Sequence, residues 1–197
     1  MTQFVEQHHA LRWLAITAFI LASTIVATRL AAHKPLRADQ QSDAAHLMMC
    51  LVMLSMLVFP AGVDGRAITS VLTAMTTVYA LLLIGRILQW RNPEHATVPG
   101  EGVTAFAYHV LAAAAMLYAM SGHTGDHSHS GGPATGPTLI LAALFAIDAI
   151  AMALPPARRA VRHIFPHPVG GIGTVAVVPH VVMDLGTAYM LVAAVAG

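Results

Sequence analysis

The chain has 197 residues, of which 57% are hydrophobic and only 10% charged, with a formal net charge of +1. So little charge cannot cover the surface of a water-soluble domain, and a near-neutral balance gives no electrostatic basis for nucleic-acid binding. A single cysteine excludes an internal disulfide.

Apolar runs near residues 11–31, 44–62, 67–90, 103–121, 137–155 and 172–196 each approach the roughly 20 residues needed to cross hydrocarbon. They predict an all-α, polytopic membrane protein with six transmembrane helices arranged as three successive hairpins, one domain over 1–197. The connections are too short for a separate soluble module. Eight of the ten basic residues (Arg29, Lys34, Arg37, Arg86, Arg91, Arg158, Arg159 and Arg162) lie in or beside the loops joining spans 1 and 2, 3 and 4, and 5 and 6. The positive-inside tendency makes those loops cytoplasmic and both termini extracytoplasmic in the cell membrane, with Arg12 and Arg66 opposing it. A removable signal peptide is the competing reading of the first run, but the run is long and no small-x-small cleavage site follows.

The first span reads as a plain lipid-facing or packing helix. After the polar segment containing Pro35, Ser42 and Asp43 offer caps for the second span and set His46 about one turn inside it. That span carries His46, Met49, Cys50, Met53 and Met56. At about 3.6 residues per turn, His46 and its three methionines share one stripe, with Cys50 beside it. Pro60 and Gly62 close this span. The third ends in Arg86, Trp90 and Arg91, residue types that anchor helices at the interface.

The fourth span carries Tyr108 and His109, the small run 112–115, then Met116 and Met120. Small residues beside a histidine permit close helix approach and leave room for a ligand. The loop that follows holds His123, Asp126, His127 and His129, a composition that suits either a metal-collecting tract, assisted by His8 and His9, or a solvated linker. Asp148 lies near the middle of the fifth span. A carboxylate there costs about 2.5–3.5 kcal/mol on insertion scales, so it requires a partner inside the bundle. In the sixth span Pro179 immediately precedes His180, either in the first turn of the helix or at a kink within it.

One register recurs in the three even-numbered spans. Counting from the histidine, offset +3 is Met49 and Met183, +7 is Met53 and Met116, +10 is Met56 and Met190, and +11 is Met120; offset +4 is Cys50, Ala113 or Asp184. If these helices meet, His46, His109 and His180 converge at a similar depth. Imidazole with thioether and thiol sulfur suits Cu(I), whereas zinc on three histidines leaves the methionines unexplained. The metal-site set is therefore His46, Met49, Cys50, Met53, His109, Met116, Met120, His180, Met183 and Asp184. Methionine also fills irregular cores, so the same stripe is compatible with packing alone.

Two other classes stay open: a haem b protein using histidine or methionine axial ligands, and an accessory subunit docking through small-residue and Met faces onto a larger membrane complex or a second copy. A copper protein of this kind would meet a copper-dependent membrane or extracytoplasmic partner. No GxSxG elbow, P-loop, HExxH or dinucleotide-binding glycine pattern is present, and the expectation is not an enzyme.

The segments His46-Leu-Met-Met, Tyr108-His109 with Met116 and Met120, and His180-Val-Val-Met183-Asp-Leu-Gly-Thr-Ala-Tyr-Met190-Leu together resemble an uncharacterised actinobacterial family of small six-helix membrane proteins, a domain of unknown function. The resemblance covers most of the chain and implies a six-helix fold with repeated His-x-x-Met motifs. Thr187 stands where such a family is expected to carry another Met. The resemblance implies no activity.

Overall fold

A computed structural model describes residues 2–32, 37–60, 64–91, 101–120, 133–155 and 174–196. The histidine-bearing loop 121–132, the Arg158, Arg159 and Arg162 segment and the glycine-rich approach 170–173 lie outside the described residues. Seven helices are described: α1 (Thr2–Gln7), α2 (His9–Ala31), α3 (Arg37–Val58), α4 (Gly65–Arg91), α5 (Glu101–Met120), α6 (Thr135–Ala153) and α7 (Thr174–Ala196). Six of them, α2 to α7, are long and apolar enough to cross a bilayer. The fold is that of a multi-pass membrane protein.

The most extensive pairings are α2 with α3, α4 with α5, and α6 with α7, so the chain forms three sequential hairpins. The second helix of each hairpin also touches the second helices of the other two. Burial divides the helices accordingly. In the apolar windows of α2, α4 and α6 only 22%, 22% and 28% of residues are buried, against 44%, 50% and 67% in α3, α5 and α7. Helices α3, α5 and α7 therefore form an inner layer, and the others present Trp13, Leu14, Leu81, Ile140 and Ile147 outward, as a lipid-facing wall requires.

Small side chains let the inner layer close. Ala112, Ala113, Ala115 and Ala119 of α5 are buried, as are Ala188, Ala193 and Ala194 of α7. At Gly186 a Cβ would run into the Phe19 ring, so the missing side chain is what seats α2 on α7. Helix α2 is thus a packing helix as well as a lipid-facing one. Its Arg12, which fits poorly with charge-based orientation, donates from Nε to the Leu57 carbonyl at 2.8 Å and from a terminal nitrogen to the Val58 carbonyl at 3.0 Å. A cation here satisfies the orphan carbonyls at the α3 C-terminus and complements the helix dipole.

One local expectation is corrected. Ser42 and Asp43 do not cap α3, because the helix-compatible sequence from Arg37 carries it a further turn and more past them. Ser42 instead accepts from a histidine, and Asp43 pairs with Arg29 of α2 at 3.2 Å. Of the two placements open for Pro179, the structure has the interior one, five residues beyond the start of α7 at Thr174. The N-terminal residues form α1, folded back so that Phe4 packs on His8 and on Tyr189 of α7, with ring centroids 4.2 and 6.0 Å away.

Candidate metal centre between the inner helices

Helical side chains lean toward the N-terminus of their helix, which brings an imidazole Nδ1 within reach of the carbonyl four residues earlier. His46 uses this geometry on α3, with Nδ1 2.9 Å from the Ser42 carbonyl, and His109 uses it on α5, with Nδ1 2.6 Å from the Ala105 carbonyl. A carbonyl only accepts, so in the neutral rings both protons reside on Nδ1. The His109 Nε2 lone pair then faces the His46 Nδ1–H at 3.2 Å, and that proton is shared between Ser42 and His109. The His46 Nε2 lone pair is left buried and, among the described residues, without a hydrogen-bond partner.

The two rings meet edge to face, 4.4 Å between centroids at 88°. Tyr79 of α4 backs His109 at 5.6 Å, while its hydroxyl donates to the Ala45 carbonyl at 3.1 Å and ties α4 to α3 beside His46. The His180 ring lies 6.1 Å from that of His46 and 4.8 Å from Tyr108. The three histidines are therefore brought together from three helices.

Their nitrogens do not all face one point. His180 Nε2 lies 3.0 Å from Asp148 Oδ2 of α6 and 3.4 Å from Asp184 Oδ2, one turn further along α7. Asp148 thereby has the interior partner that its depth demands. Asp184 is completely buried, and its oxygens accept no hydrogen bond among the described residues. Asp148, His180 and Asp184 each offer one ligand atom within 4.8 Å of the other two.

The sulfur register falls inward throughout. Met49, Met53, Met56, Met116, Met120, Met183 and Met190 are all buried in one core together with Cys50 and Ala113. Of the methionines outside the register, Met75 and Met152 are buried too and Met48 is half-exposed, so burial alone does not single out the register. In the sequence Asp148 stands out only by its depth and Tyr108 only as the neighbour of His109, and neither they nor Tyr79 belong to the expected ligand set. The adjacency of Tyr108 to His109 was a usable signal; nothing in the sequence connects Tyr79 to it.

No curated protein and no solved structure matches the chain. A family model does match, over residues 38–194, a span that includes His46, His109 and His180. The chain belongs to that family, described as a domain of unknown function, DUF5134.

Proposed function

We propose that this membrane protein holds Cu(I) within its inner helix layer and acts in copper handling, whether transport, storage or delivery to a copper-dependent membrane or extracytoplasmic partner, without catalysis of its own. The observation that carries this reading is the buried, unpartnered Nε2 of His46, whose opposite nitrogen is fixed by a backbone carbonyl. Metal-ligating histidines characteristically show that arrangement, the outer hydrogen bond setting tautomer and ring orientation. His109 has the same outer bond and contributes its Nε2 once the shared proton stays with Ser42.

The His180 Nε2 faces carboxylates, so thioethers rather than a third imidazole complete the set. Met49, Met53, Met116 and Met183 are the sulfur donors, with Cys50 beside the stripe and Met120 further along it. Soft sulfur favours Cu(I) over zinc, magnesium or calcium. Haem b is supported less well, because bis-histidine ligation places a macrocycle between the axial rings. His46 and His109 already touch edge to face, with no slot between them. A docking role in a larger membrane complex is compatible with the lipid-facing wall, but gives the buried imidazoles nothing to do.

Metal analysis of the detergent-purified chain after Cu(I) loading, with an absorption spectrum, tests the reading. The expected result is about one copper per chain without a Soret band, with copper content falling in His46→Ala and in His109→Ala. Undiminished copper in both variants would overturn it.

A further inference from the structure

We infer that Asp148, His180 and Asp184 form a second cation site, for a divalent ion of borderline character such as Zn²⁺, separate from the soft His46/His109 site. The inference does not depend on copper binding. It rests on the donor set, on the spacing, and on a buried carboxylate that the fold leaves without a hydrogen bond.

The donors are one imidazole nitrogen and two carboxylates from two helices, a combination that zinc accepts and that Cu(I) does not favour. Zinc ligands stand about 2.0–2.2 Å from the ion, so two ligands of a tetrahedral site are about 3.3–3.6 Å apart. The nitrogen-to-oxygen separations here are 3.0 and 3.4 Å, and the whole triad fits within 4.8 Å. An ion therefore enters with small side-chain adjustments.

Asp184 supplies the independent observation. Its side chain is 0% exposed, its Oδ2 points at His180 Nε2, and neither oxygen accepts a hydrogen bond among the described residues. Buried polar groups in native folds are paired, and an exception calls for a ligand or a special role. The cost of a carboxylate at this depth adds to the demand. A divalent ion satisfies both carboxylates and His180 at once, which one imidazole cannot do with a single Nε2 proton.

The test uses the full chain in detergent, with Co²⁺ as spectroscopic probe and Zn²⁺ as competitor. Wild-type protein is expected to bind one Co²⁺, giving visible d–d bands that Zn²⁺ abolishes. Asp184→Asn and Asp148→Asn, near-isosteric changes that remove charge from the bundle, are each expected to weaken Co²⁺ binding by about tenfold or more, the scale reached by losing even an outer partner of a metal site. His46→Ala is expected to leave Co²⁺ binding intact while lowering copper content. Unchanged Co²⁺ affinity in either folded Asn variant would overturn the second site. Loss of Co²⁺ in His46→Ala would overturn its separateness. Failure of copper loading with Co²⁺ binding retained would sink only the copper reading.

Discussion

Replacing His180 by alanine isolates what the carboxylates cost when their partner is gone. The substitution deletes contacts of 3.0 Å to Asp148 and 3.4 Å to Asp184 and removes a ring packed 4.8 Å from Tyr108. An abandoned buried ion costs about 3–5 kcal/mol. A carboxyl that takes up a proton instead leaves an unsatisfied polar group costing about 1–3 kcal/mol. In metal-free protein the expected loss is therefore about 2–4 kcal/mol, with the fully buried Asp184 contributing more than the partly exposed Asp148. Asp184→Asn alone is expected to change stability by less than about 1 kcal/mol, since it removes the buried charge at constant shape and exchanges the carboxylate's need for partners for that of a neutral amide. The double variant should be less damaged than the sum of the single changes, by about 1–2 kcal/mol, the scale of coupling between contacting residues. Equilibrium unfolding in mixed micelles, titrating a denaturing detergent against a mild one, measures all three. Strict additivity, or a His180→Ala loss below about 0.5 kcal/mol, would refute the argument.

Gly186→Leu is expected to destabilise by about 1–3 kcal/mol, because any Cβ at that position meets the Phe19 ring; thermal melting should show Phe19→Ala partly relieving it. Arg12→Ala uncovers the Leu57 and Val58 carbonyls and should cost about 1 kcal/mol by the same assay. Tyr79→Phe removes one hydrogen bond to α3, about 0.5–1.5 kcal/mol, without touching a nitrogen donor, so copper content should be unaltered. Nitrogen-15 spectra of the metal-free protein at neutral pH should report His46 and His109 as Nδ1–H tautomers; an Nε2–H signal from His46 would contradict the hydrogen-bond assignment.

The hairpin order and the convergence of three histidines were legible because both depend on period and spacing. A residue set recurring at offsets of three, seven and ten marks one helix face, and a face shared by three alternate helices has to meet in the middle. What sequence could not supply is the direction in which a side chain points across an interface. His180 was legible as a histidine at the right depth, but its turn toward Asp148 depends on how α6 lies against α7. Arg12 opposes the charge-based orientation for a related reason: it satisfies the end of a neighbouring helix and does not mark a loop. The expected Ser42 and Asp43 caps failed because a polar segment of good helix formers extends a helix beyond the apolar run, and hydropathy marks only the hydrocarbon boundary.

The division between the two halves of the site follows from the same architecture. Each hairpin sends its second helix inward with a histidine, and what surrounds that histidine depends on what lies one turn further along and across the nearest outer helix. On α3 the residue at offset +4 is Cys50, and Tyr79 of α4 lies alongside, so no carboxylate faces His46 or His109 among the contacts described. On α7 the same offset is Asp184, and the outer helix α6 supplies Asp148. One repeated backbone plan thus leaves His46 and His109 without a facing carboxylate among the described residues and sets two carboxylates beside His180. On the two-site reading proposed above, a bundle so divided would discriminate between Cu(I) and a divalent ion without changing its fold, because the difference lies in the side chain at one helical offset and on one outer helix.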